Sequence, residues 1–192
     1  MPHRLPRALR RVPGFTLLEL LVTLAVAGVL MALAAPALQS FVSSRAVAAQ
    51  ASEFVSSLRF ARGEAMKRTN PVSVCRLETP DATSCASSEG IWKYWMIFAE
   101  RGGHGVFDAS SVKIRVENAG AHSVAYQALN GVTYVSFQPT GIVLSDGQMP
   151  LRWEFDPTIP HGAENFRRDM RYVCLNAQGR AAVVDGTSDC KL

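Results

Sequence analysis

The sequence predicts an α+β protein: one long N-terminal helix followed by a domain of antiparallel β-sheets. An apolar run from Phe15 to Leu38 passes, without a stop signal, into apolar residues at helical spacing that last to about Arg68. From Pro71 onward the period becomes that of short strands separated by turn residues. A helix first and strands afterwards, with no alternation of the two, puts antiparallel sheets against the C-terminal half of the helix. With 192 residues there is room for one ordinary domain besides the apolar segment.

The apolar run is interrupted only by Thr16, Glu19 and Thr23 and is long enough to cross a bilayer as a helix. A secretory signal has a shorter apolar run, roughly 7 to 15 residues, with its small-residue cleavage site behind it. Here Pro13-Gly14 stands in front, so cleavage between Gly14 and Phe15 leaves the apolar segment on the product as an anchor. The leader, residues 1–14, carries Arg4, Arg7, Arg10 and Arg11 and no acid. Positive residues stay on the cytoplasmic side, which predicts a single-pass inner-membrane protein with a periplasmic C-terminal domain. The formal charge of +4 would point to a nucleic-acid or anionic-membrane partner. Without the leader, 16 basic residues face 16 acidic ones, and bulk charge gives that idea no support. Glu19 is the costly residue of the anchor, about 2.5–3.5 kcal/mol at mid-bilayer and less near an end, and such a residue is expected to face a protein partner. An amine of such a partner would neutralise it in apolar surroundings, where an unpaired charge is expensive.

Residues 39–70 continue the helix as an amphipathic segment, with Val47, Ala51, Phe54, Leu58, Ala61 and Ala65 on one stripe. Pro36 removes a backbone hydrogen bond and is expected to kink or loosen the helix. Thr69-Asn70-Pro71 ends it, because the residue before a proline is steered out of the helical region. In the head, residues 71–192, Val72–Arg76 alternates as a half-buried strand does. Further strands are expected over Ile91–Ala99, Val112–Val116, Ser123–Leu129, Val132–Phe137 and Leu151–Phe155, with a last pair at Arg171–Leu175 and Ala181–Val184. Asn130-Gly131 has the composition of a hairpin turn, and further turns are expected at Pro139-Thr140-Gly141 and Asp146-Gly147.

Cys75, Cys85, Cys174 and Cys190 all lie in the head, where an oxidising compartment favours disulfides, and their spacing lacks the short C-x-x-C of structural zinc sites. Three pairings are open; proximity in sequence favours Cys75 with Cys85 and Cys174 with Cys190. His3, His104, His122 and His161 are scattered, and no metalloprotease, P-loop, nucleophile-elbow or dinucleotide fingerprint occurs. An enzyme, a metal and a cofactor are not expected. Arg167, Arg168 and Arg171 cluster beside Phe166, and Arg180 lies in the last turn, a composition that can hold phosphates.

Gly14-Phe15-Thr16-Leu17-Leu18-Glu19, with the apolar run and Pro36 behind it, resembles the class III prepilin signal of type IV pilins and type II secretion pseudopilins. The resemblance implies cleavage after Gly14 by a prepilin peptidase, N-methylation of Phe15, filament docking through Glu19, and a proline associated with curvature or local melting of the filament core. Ala61-Arg62-Gly63-Glu64-Ala65-Met66-Lys67-Arg68, Pro71–Arg76, Trp95-Met96-Ile97-Phe98, Phe137-Gln138-Pro139-Thr140-Gly141 and Gly179-Arg180 before a last cysteine are similar to the GspH/FimT family of minor pilins and pseudopilins. The similarity is loose over 102–131 and 156–169. It implies a type IV pilin-like fold, partnership with other pilins or pseudopilins through the N-terminal helix, residence in the inner membrane before assembly, and a role in priming a pilus at or near its tip. A pseudopilin of a type II secretion system is the nearest alternative. Some members bind DNA during uptake through a G-R-x-R motif, of which this chain keeps Gly179 and Arg180 but has Ala182 in the second arginine's place, so a DNA-binding minor pilin for DNA uptake in natural transformation, with Arg180, Arg167, Arg168 and Arg171 as contacts, is a further alternative.

Overall fold

The structure is a computed structural model that describes residues 14–119, 126–157 and 166–191. The leader up to Pro13 lies outside the described residues, as do the first part of the expected strand at Ser123–Leu129 and most of the 156–169 loop. Helix α1 runs unbroken through Pro36 from Leu17 to Arg68. The chain divides into two compact units, residues up to Gln39 and Ser40–Leu192.

In the first unit, Thr16 caps the helix: the Glu19 backbone N–H donates to Thr16 Oγ1 at 3.2 Å. Thr16-x-x-Glu19 is the spacing of a capping box, a helix-start signal that the sequence carries beside the Gly14-Phe15 pair. Leu17–Ala35 is apolar and long enough to cross a membrane, and all its large side chains are exposed.

In the second unit, α1 ends at Arg68 beside Thr69, whose φ of 54° lies in the left-handed region. Lys67 and Arg68 in the last turn suit the negative end of the helix dipole. Among the described residues nine strands follow: β1 (Val72–Leu77), β2 (Tyr94–Ala99), β3 (Val112–Asn118), β4 (Tyr126–Ala128), β5 (Tyr134–Phe137), β6 (Val143–Ser145), β7 (Leu151–Phe155), β8 (Arg171–Leu175) and β9 (Ala181–Asp185). They form a five-stranded antiparallel sheet, β3-β2-β1-β5-β6, and a four-stranded one, β4-β7-β8-β9. A short helix, α2 (Phe166–Asp169), leads into β8.

The six stripe residues of α1 are buried, together with Val55, against Val72, Val74, Trp95, Ile97, Val135 and Phe137 of the first sheet and Leu151, Trp153, Phe155, Val173 and Leu175 of the second. Phe54 is the centre of this core, with the rings of Trp92, Trp95 and Trp153 at 5.7, 5.2 and 5.1 Å, edge to face. Such pairs contribute about 0.5–1.5 kcal/mol beyond their area.

Several expectations are corrected. β1 is buried along its whole length, not half-buried. Alternation marks two faces of different chemistry, and both are covered, because the outer one packs a second small core of Cys75, Leu77, Met96 and Phe98 with Phe107 and Tyr134. β2 begins at Tyr94, three residues later than expected, which leaves Trp92 free of the ladder and buried in the main core. Asn130-Gly131 makes no hairpin, since β4 pairs with β7 and β5 pairs with β1 and β6. The turn passes the chain between sheets, with Gly131 at φ 68° and the Asn130 side-chain amide donating to the carbonyls of Gln148 and Pro150 at 2.8 and 2.9 Å. β6 and α2, of three and four residues, are too short to show a period.

Candidate functional site

The exposed apolar start of α1 and the end of the head formed by the β5–β6 and β8–β9 turns are the two places where sequence features gather. At the start of α1, Phe15 is 82% exposed and Leu17 79%, and Glu19 follows in the first helical turn.

At the turns, three stretches distant in sequence converge. The β5–β6 turn closes with Gly141 N–H to Gln138 O at 2.8 Å, and the β8–β9 turn with Gly179 N–H to Asn176 O at 2.9 Å. Val143 N–H donates to Ala177 O at 2.9 Å and so ties one turn to the other. Gly141 and Gly179 have φ of 82° and 75°, and a Cβ on either would stand 3.0 or 2.9 Å from Arg62 Nε. A Cβ on Gly179 would also collide with Gly141 O, so glycine is dictated there by both conformation and space. Arg59 Nη2 donates to Ala181 O at 3.1 Å. Arg62 Nε is buried without a hydrogen-bond partner among the described residues, and Arg180 is exposed, its backbone N–H held by Asn176 Oδ1 at 2.9 Å.

The four arginines singled out for phosphate contact do not form one patch. Arg167 and Arg168 are exposed on α2, whereas Arg171 is half-buried and occupied by the carbonyls of Arg168 and Met170, both at 2.7 Å, and by Asp185 at 3.5 Å. Arg171 pairs with Asp185 at one end of the β8–β9 hairpin and Arg180 lies beyond the other end. The strand between them spans roughly 15 Å. Arg59 and Arg62, which reasoning on charge missed, meet the backbone on either side of Arg180, at Ala181 and Gly179. Their i, i+3 spacing on α1 was the available signal.

Both disulfides follow the pairing that proximity favoured, Cys75–Cys85 and Cys174–Cys190. The second flanks two adjoining open clefts of about 290 and 260 Å³ that share Pro150 and Cys190. Glu100, at the end of β2, is a buried carboxylate not foreseen from the sequence. It accepts from Ser73 Oγ, Gly105 N–H (2.6 Å) and Ser136 Oγ (3.2 Å), and His104 Nδ1 stands 3.2 Å away. The cluster fastens the 101–111 loop onto the first sheet and contains no free nucleophile. Among the described residues, no three His, Cys, Asp or Glu side chains converge on a point that a metal ion could occupy.

Comparison with known proteins agrees with this geometry. The model of the family described as type II transport protein GspH matches residues 50–184, and the prokaryotic N-terminal methylation motif matches residues 9–35. No curated protein matches the sequence. Two crystal forms of the Pseudomonas aeruginosa type IV minor pilin FimU are similar in structure. One has a TM-score of 0.51 at 18% identity over 77% of this chain and 95% of that one, which shows a shared fold. The other has 0.47 at 18% identity, over 73% and 94%. A helix that begins at a methylation motif and ends beneath two antiparallel sheets, with a family match over most of the head, makes this chain a member of the GspH/FimT family of minor pilins and pseudopilins.

Proposed function

We propose that this protein is a minor type IV pilin that primes pilus assembly and sits at or near the pilus tip. The observation that carries the reading is the Gly14-Phe15 junction at the head of a capped, wholly exposed apolar helix. A prepilin peptidase cuts there, Phe15 is methylated, and the helix waits in the inner membrane with the head in the periplasm. Apolar side chains exposed along the whole anchor have lipid as their first neighbour and other pilins' helices as their second. Glu19, a carboxylate in apolar surroundings, draws the anchor toward the amino terminus of a neighbouring subunit.

Mass spectrometry of the membrane-extracted protein, from cells with an active prepilin peptidase, is expected to show a chain beginning at methylated Phe15. Gly14→Val leaves the leader attached. An intact Met1 in such cells overturns the reading. Glu19→Ala is expected to insert normally and to be depleted from sheared filaments; normal recovery removes the docking role.

The family's description as a type II transport protein supports a second reading, a minor pseudopilin of a secretion filament. The same chemistry serves both, and the genes beside this one, for a pilus or for a secretion system, separate them. Nucleic-acid uptake is not carried forward, because Ala182 replaces one family contact and the remaining arginines lie at two ends of a hairpin.

A further inference from the structure

The two disulfides differ in what else holds the segments they join. Cys75–Cys85 fastens the loop after β1, and that loop is held several times over. Ala86 N–H donates to Arg76 O at 2.8 Å, and the Arg76 guanidinium, itself buried, reaches Ser88 O at 2.7 Å and Glu78 Oε1 at 2.5 Å. Cys75 and Cys85 also pack with Leu77, Met96 and Phe98 in the second core. Cys174–Cys190 fastens the tail, which has no such support past Gly186, whose N–H meets Met170 O at 3.1 Å. Among the described residues, the hydrogen bonds and ion pair of residues 187–191 stay within 185–191: Ser188 N–H to Asp185 O, Lys191 N–H to Asp189 O, and Lys191 Nζ to Asp189 at 3.9 Å. The bridge is thus the tail's one bonded tie to the sheet among those residues.

Cys174 is fully buried in β8 and Cys190 is half-buried, so of the two a reagent in solvent reaches Cys190. Cys190 borders the cleft of about 260 Å³, whose wall also carries Arg152 and Asp189. Arg152 is the cross-strand neighbour of Cys174 on β7, and Asp189 is paired with Lys191. A cation in that place draws in an attacking thiolate and stabilises the thiolate that leaves.

We propose that Cys174–Cys190 is a site of thiol–disulfide exchange with a dithiol reductant, and that its opening frees residues 187–191 from the sheet. One thiolate of the reductant attacks Cys190 Sγ; the bond to Cys174 Sγ breaks, and its electron pair leaves on Cys174 Sγ beside Arg152. The reductant's second thiolate then attacks its own sulfur in the mixed disulfide, so that Cys190 departs as a thiolate and the reductant closes as a disulfide. The two protons of the dithiol end on the two cysteines. The β8–β9 ladder, from Arg171 with Asp185 to Leu175 with Ala181, does not include the tail and outlasts its release. The bridge belongs to the head, so the inference does not depend on the filament reading.

The test treats the detergent-solubilised full chain with dithiothreitol, stops portions with iodoacetamide at timed intervals, and counts the alkyl groups on each cysteine by peptide mass spectrometry. Cys174 and Cys190 are expected to be alkylated together and about tenfold faster than Cys75 and Cys85, whose opening must first break a hydrogen bond of buried Arg76. Hydrogen exchange on the same sample is expected to show the β8 and β9 amides still protected and those of 187–191 free. Arg152→Gln is expected to slow alkylation of Cys190 about threefold and leave Cys75 and Cys85 unchanged, whereas Arg152→Lys keeps the wild-type rate. Equal rates at the two bridges, or earlier opening of Cys75–Cys85, overturn the proposal. Loss of β8–β9 protection on reduction also overturns it, because the bridge would then hold the sheet and not the tail alone. An unchanged rate in Arg152→Gln overturns the cleft as the route of attack.

Discussion

Phe54 shows how much one residue decides. It is 2% exposed on the buried stripe of α1, and the rings of Trp92, Trp95, Trp153 and Phe155 surround it within 6.0 Å. Those rings come from the β1–β2 connection, from β2 and from β7, so Phe54 joins the helix to both sheets at once. Phe54→Ala leaves a cavity that four stiff aromatic walls cannot close, and a loss of about 3–5 kcal/mol in chemical denaturation is expected. Glu100 is the polar counterpart. Removal of its carboxylate would orphan two serine hydroxyls and a backbone N–H in a dry site. Neither role follows from the residue type, since a phenylalanine on a stripe and a glutamate after a strand are both ordinary.

Helix α1 is an element in which local signals agree with one another. Thr16 caps its start, Lys67 and Arg68 face its negative end, and Pro71 forbids its continuation. Glu64 joins that end, and its carboxyl is held below the ordinary range by the hydrogen bond from Arg68, with the charges of Arg68 and Lys67 adding to it. A carboxyl with a depressed folded pKa contributes stability above its unfolded pKa and loses it as pH falls through the folded value. Glu64→Gln is therefore expected to lower stability by a few tenths of a kcal/mol at pH 7, a small amount because both cations are exposed to solvent screening, and to make no difference near pH 2. Thermal unfolding of both forms at the two pH values checks it. The strands were less legible. The expected ranges of β7 and β8 match the structure, whereas the Asn130-Gly131 turn misled, because a left-handed glycine permits a reversal but does not choose between a hairpin and a step to another sheet.

For the molecule as a whole, the Cys174–Cys190 bridge ties the tail back to β8 in the centre of the second sheet. It closes a loop of sequence separation 16, and the chain-entropy argument assigns such a loop about 3 kcal/mol. The paired change Cys174→Ser with Cys190→Ser is expected to destabilise the protein by about that amount while it leaves the proposed cleavage at Gly14 unaffected, because that position and the bridge belong to different compact units. Denaturant titration and N-terminal mass spectrometry read the two effects separately.

By itself the sequence determined the apolar first half of α1, its buried stripe, the helix end at Thr69, the family resemblance and the favoured cysteine pairing, since each depends on residues near one another in the chain and on a period or spacing that local physics imposes. Tertiary structure alone decided which sheet each strand enters, that both faces of β1 are covered, that Glu100 is buried, and that the β8–β9 turn meets Arg59 and Arg62 while Arg167 and Arg168 lie at the other end of the hairpin. These are matters of proximity between distant residues. Periodicity shows which side of a strand or helix is apolar, but the neighbour that covers that side is chosen only when the whole chain has packed.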